Sequence, residues 1–178
     1  MIDALSAPVA PLGAAEGELE IGIEVADGAW TDALADAAAI AETALAAAYG
    51  GAGVEGGAAE VSLVLASDAM VADLNRDYRG KEGPTNVLSF AQSDGDQPPA
   101  VAAMPEMLGD VIIAFGVTQA EAADQGIPLA DHLSHLCVHG MLHLLGFDHE
   151  DAAEADEMER LETEILGTLG VPDPYGKE

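Results

Sequence analysis

The sequence predicts a single α/β domain, α+β-like, in which a mixed sheet of about four strands packs against about five helices. Two observations point there. Segments with strand periodicity alternate with segments of helical periodicity along most of the chain, and no internal repeat interrupts them. The length, 178 residues, suits one domain that can bury its core without disulfide staples.

The elements follow in order. Residues 1–17 are rich in Ala, Pro and Gly and read as a flexible N-terminal tail, which leaves 18–170 as the domain and 171–178 as a C-terminal tail. LEIGIEVAD (19–27) alternates apolar and acidic residues, the pattern of a half-buried strand. Residues 29–49 carry Trp30, Leu34, Ile40 and Leu45 at near-helical spacing in an alanine-rich run and read as one helix. GGAGVEGG (50–57) is a connector, and VSLVLAS (61–67) a second strand. Ser67 and Asp68 cap a helix that runs to Arg79. RGKEGPT (79–85) is a loop, NVLSFAQ (86–92) a third strand, 93–106 a long polar loop, and LGDVIIAF (108–115) a fourth strand apolar enough to be central. A short helix is expected over 117–125. A second, opened by Pro128, runs to about Leu145 and is stopped by Gly146, and an acidic one covers 151–168.

Composition narrows the class. The chain holds 33 acidic residues against 5 basic ones, a formal net charge of −28. Such a surface is solubilising, suits a salty cytosol, and repels phosphate polymers at long range. The lone cysteine, Cys137, allows no intrachain disulfide, which fits a reducing compartment. The N-terminal stretch lacks the pattern of a signal peptide, and nothing reaches the length of a transmembrane helix, so a cytoplasmic protein with no membrane partner is expected.

The cations are Arg76, Arg79, Lys81, Arg160 and Lys177, and three of these five fall within six residues. Two readings of that island stand together: basic residues that favour the negative pole of a helix C-terminus, or a local site for an anionic ligand in a chain otherwise cleared of positive charge.

All five histidines lie between 132 and 149. His139 and His143 are four apart on the predicted helix, so both imidazoles share a face one turn apart. Gly146 turns the chain, and His149 follows three residues later, within reach of the same point. Three nitrogens with a fourth position open describe a catalytic site for one divalent metal ion; a structural site would need a fourth protein ligand, with Asp148 or His135 the candidates. His132 and His135 lie on nearly the same stripe as His139 and are expected to support the ligands or face solvent rather than ligate. Cys137 points to the opposite side and is expected in the core, and Asp148 either fixes an imidazole or only shapes the turn. Imidazole suits zinc, copper, iron or nickel.

His139, His143, Gly146 and His149 fall at the offsets of the metzincin motif H-E-x-x-H-x-x-G-x-x-H, but Gly140 stands where that motif has its glutamate base. Glycine cannot take that proton, and Met158 makes no convincing Met-turn, both of which argue against a peptidase.

HGMLHLLGFDH (139–149) resembles the signature of the YbeY family of bacterial rRNA-maturation endoribonucleases. LNRDYRGKEGPTNVLSF (74–90) and LGDVIIAF (108–115) resemble two further blocks of that family, so the resemblance covers about residues 60–150, with Phe147 where many members have tyrosine. The resemblance implies a zinc-dependent endoribonuclease of single-strand type, acting on rRNA precursor in rRNA maturation and ribosome quality control. Its partners would be the small ribosomal subunit and its assembly factors, with no DNA expected. It also implies that His139, His143 and His149 hold the metal and that Arg79 is functionally important.

The expected chemistry is metal-assisted phosphodiester hydrolysis, with Arg79 on the non-bridging phosphate oxygens and Arg76 and Lys81 on the flanking backbone. Asn86 or Ser89 contacts the substrate or simply belongs to its strand. The proton acceptor is open between a metal-activated water and the RNA 2′-hydroxyl. Two rival functions remain at this level: a ribosome-associated binding factor whose metal is structural, and a hydrolase of small phosphoesters.

Overall fold

In the computed structural model of the chain, residues 18–53, 58–92, 106–148 and 150–175 are described. The expected tail at 1–17, most of the 93–106 loop and His149 lie outside these residues.

The elements run β1 (Leu19–Val25), α1 (Ala29–Ala33), α2 (Ala37–Gly51), β2 (Ala59–Ala66), α3 (Asp68–Arg79), β3 (Val87–Ala91), β4 (Glu106–Ala114), α4 (Phe115–Gln125), α5 (Leu129–Leu144) and α6 (Ala152–Thr168). The sheet order is β1-β2-β4-β3. β1 and β4 flank β2 in parallel, and β3 closes the sheet antiparallel to β4. The mixed four-stranded sheet matches the expectation.

The helix expected over 29–49 is two helices. Leu34 is extended, with φ −148° and ψ 92°, and breaks the run. No breaker residue marks the place; tertiary contacts override propensity. The Trp30 indole N–H donates to the Ala66 carbonyl at 3.0 Å, and its ring stands edge-on to Phe115 at 5.1 Å, which holds α1 at the end of β2. α2 is then free to run along α5.

Alternation along the strands divides the core between the two faces of the sheet. Val61, Leu63, Leu65, Val111 and Ile113 face α2 and α5, where Leu45, Leu133, Cys137, Met141 and Leu142 are fully buried. Ala66, Leu88 and Ile112 face Val71 of α3 on the other side. Each large apolar side chain of α5 stabilises its seat by about 2 kcal/mol relative to exposure. α5 packs on β3 and β4 and against α2, α4 and α6, so the helix that carries four histidines is the most enclosed of the described helices.

Two helix ends set the site. α3 starts at Ser67, whose hydroxyl accepts from the Met70 N–H at 3.1 Å. It stops at Gly80, in the left-handed conformation with φ +69°, so that Arg79 ends the helix. Asp68, expected to share in that cap, instead accepts from the Val117 N–H at 3.1 Å near the start of α4. α5 ends in a Schellman turn: the Gly146 N–H donates to His143 O at 3.0 Å and the Phe147 N–H to Leu142 O at 3.0 Å, with Gly146 at φ +103°. This reversal carries Asp148 back over the histidines' end of the helix.

Among the described residues no helix is long and apolar enough to cross a membrane.

Candidate metal centre

The end of α5, the end of α3, β3 and the residues Gly146, Phe147, Asp148 and Glu150 line one cleft of about 590 Å³. Arg79, Asn86, Ser89, His139, His143 and Asp148 all line it. Arg76 and Lys81 do not. Arg76 lies along α3 in ion pairs with Asp73 at 3.3 Å and Asp77 at 3.2 Å, both exposed. The basic island therefore splits. Arg79 makes no salt bridge among the described residues; its Nη2 donates to Ser89 O at 3.2 Å and its guanidinium lies 5.8 Å from the Phe90 ring centroid.

His139 and His143 meet as their four-residue spacing requires. Their rings stand edge-on with centroids 4.6 Å apart, and the two Nε2 atoms are separated by 3.1 Å. Two nitrogens bound at about 2.0–2.1 Å to one tetrahedral ion lie roughly 3.3 Å apart, so the pair fits a shared metal. Among the described residues no group of three or more His, Cys, Asp or Glu is gathered around one point. The third residue of the predicted set, His149, lies outside the described residues, while its chain neighbours Asp148 and Glu150 both line the cleft.

A carboxylate that sequence reasoning missed controls the pair. Glu162 of α6 is fully buried. Its Oε2 accepts from His139 Nδ1 at 2.6 Å, and its Oε1 accepts from His135 Nε2 at 3.0 Å and from the Tyr175 hydroxyl. Burial by itself would raise its pKa; the hydrogen bonds from His135 and His139, the charge of His139 and the Tyr175 hydroxyl outweigh it and hold the carboxyl at about 2. An ionised carboxylate only accepts, so His139 carries a proton on Nδ1 and directs Nε2 toward His143 and the cleft. The acidic last helix thus sends one carboxylate inward. The signal was present: Glu162 sits on the stripe of Met158, Ile165 and Leu166, all buried.

His132 and His135 are likewise held. His132 is buried, with Nε2 against Glu121 Oε1 at 2.8 Å, and the same Glu121 oxygen accepts from Asn86 Nδ2 at 3.0 Å. Neither His132 nor His135 faces solvent freely; each supports the region from behind the pair. Cys137 is buried, and burial pushes its thiol pKa well up, so it belongs to the core as expected.

Gly140 explains the absent glutamate. A Cβ there would lie 2.9 Å from Val111 Cγ1 and 3.2 Å from Ser89 Oγ. Ser89 Oγ donates to Gly140 O across the same contact at 3.4 Å. The position is a close approach of α5 to the sheet, with no room for a side chain.

A mixed-sheet α/β domain with an imidazole pair and a guanidinium on one polar cleft has the build of a hydrolase acting on an anionic substrate. Residues 25–170 match the model of the endoribonuclease YbeY family, and the chain belongs to that family. It is 54% identical over 160 residues to the endoribonuclease YbeY of Paramagnetospirillum magneticum, covering 90% of this chain and 98% of that one. It is 48% identical over 163 residues to that of Rhodospirillum rubrum, covering 88% and 82%. A solution structure from Thermotoga maritima, TM1509, overlays on 88% of this chain and 99% of its own with 21% identity and a TM-score of 0.48.

Proposed function

We propose that the chain is a metal-dependent endoribonuclease that cleaves single-stranded RNA, with rRNA precursor as substrate and the small ribosomal subunit and its assembly factors as partners. The observation that carries the chemistry is that Arg79 and the His139–His143 pair line one cleft. His139 and His143 would hold one divalent ion, zinc being the expected metal, with His149 as the third ligand. Such an ion supplies Lewis acidity and an activated water.

The protein's own groups do the rest. Arg79 binds the non-bridging oxygens of the scissile phosphate and stabilises charge as it builds there. Its side chain is aimed by Ser89 O and Phe90 and pairs with no carboxylate among the described residues, which leaves its charge for substrate. Glu162 keeps the His139 proton on Nδ1. Asn86 is oriented by Glu121 at the cleft wall, and Asp148 and Glu150 line the same cleft and can accept a proton from the attacking oxygen. With a global charge of −28, RNA binding depends on the short-range contact of Arg79.

Purified protein incubated with single-stranded RNA and with DNA of the same sequence tests the reading. Internal cuts are expected in the RNA alone, abolished by a chelator and restored by added zinc. Intact RNA with every divalent ion tried would overturn it.

A further inference from the structure

The C-terminal segment reaches the histidine pair through Glu162. After α6 the chain turns back: the Val171 N–H donates to Leu166 O at 3.0 Å, and Asp173 Oδ1 accepts from Thr163 Oγ1 at 3.1 Å and from the Tyr175 N–H at 2.8 Å. These bonds deliver the Tyr175 ring edge-on to His135, with centroids 5.5 Å apart, and its hydroxyl onto Glu162 Oε1. Residues 171–175 are thus seated on the domain. A fully buried carboxylate on an apolar stripe is costly unless several donors meet it. Here three donors do, from two parts of the chain: His139 and His135 on α5, and Tyr175 from beyond α6.

We propose that Glu162, latched by Tyr175, is a positioning residue that fixes the His139 imidazole in the tautomer whose Nε2 faces the cleft, so that the C-terminal segment is a working part of the metal site. The inference rests on the metal reading above. With Oε1 taken by Tyr175 and His135, the carboxylate cannot swing, and Oε2 is held on His139 Nδ1. An amide at 162 can turn its NH₂ toward Nδ1 instead, which moves the imidazole proton to Nε2 and blocks that atom as a ligand. Without the Tyr175 hydroxyl, one of the three restraints on the carboxylate is gone.

The test uses the full chain with Zn²⁺ as the probe. Affinity is measured by competition with a chromophoric chelator for wild type, Glu162→Gln, Tyr175→Phe and His143→Ala. The His139 tautomer is read from long-range ¹H–¹⁵N spectra of the metal-free proteins. Glu162→Gln is expected to weaken Zn²⁺ binding roughly 10–100-fold and to move the His139 proton to Nε2. Tyr175→Phe is expected to weaken binding by about 3- to 10-fold, the loss of one hydrogen bond. If His143→Ala loses zinc while Glu162→Gln and Tyr175→Phe bind as wild type, the positioning role is wrong and the metal site stands. If wild type binds no zinc, or His143→Ala binds as tightly as wild type, the metal reading itself fails. Should Glu162→Gln not fold, Tyr175→Phe decides: unchanged affinity overturns the proposal, and the stated loss supports it.

Discussion

Gly140 and Val111 stand so close that a single added carbon at 140 would approach Val111 Cγ1 to 2.9 Å. The contact lets α5 settle on the sheet and brings His139 and His143, on either side of Gly140, to the cleft. Gly140→Ala is expected to destabilise the fold by about 1–3 kcal/mol despite the helix propensity gained, because Val111 is fully buried and has little room to yield. Denaturant unfolding of the two proteins checks this. A Gly140→Ala protein as stable as wild type would mean that the close approach is not a packing constraint.

Acid should loosen the region around Glu162. Its folded pKa, about 2, lies below the ordinary 4.5, so the unfolded chain binds the proton more readily between those values. The contribution is fully present above about pH 4.5 and is lost as pH falls through about 2. A shift of that size is worth on the order of 3 kcal/mol. The stability advantage of wild type over Glu162→Gln should therefore shrink as pH falls through that window, and an advantage independent of pH would contradict it.

The Cys137 thiol is fully buried and held in its neutral form by that burial. Its reaction with an aromatic disulfide reagent should follow global unfolding: slow in buffer, accelerating with denaturant in step with loss of helix signal. Rapid labelling of the native protein would show that α5 is not enclosed as described.

RNA affinity should depend weakly on salt. Among the described residues that line the cleft Arg79 is the one Arg or Lys, and Arg76 is occupied by Asp73 and Asp77. Few counterions are then released, and the slope of log affinity against log salt is expected at about −1 to −2. A slope of about −5 or steeper would require a basic surface elsewhere on the chain.

Much of this site was written in local spacing. His139 and His143 meet because four residues make about one helical turn, and the turn at Gly146 announces itself by residue type. Arg79 stood out because the chain keeps so few cations. What escaped sequence reasoning depends on long-range contact. Glu162 lies in a helix full of carboxylates, and only its place between Met158 and Leu166 distinguishes it. Glu121, which joins Asn86 to His132, carries no local mark, and Tyr175 sits in a segment expected to be a tail. The parting of Arg76 from Arg79 follows from carboxylates at 73 and 77 that pair with the first and leave the second. The strand order and the break at Leu34 are likewise products of packing, and no residue in 29–49 foretells that break.

The most direct test measures metal content and RNA cleavage on the same preparations of wild type, His143→Ala and Arg79→Ala. The account predicts that His143→Ala loses both, and that Arg79→Ala keeps its metal while cleavage falls on the order of 100-fold. Arg79→Ala cleaving at the wild-type rate with its metal in place, or metal-free wild type cleaving as fast as the loaded protein, would contradict it.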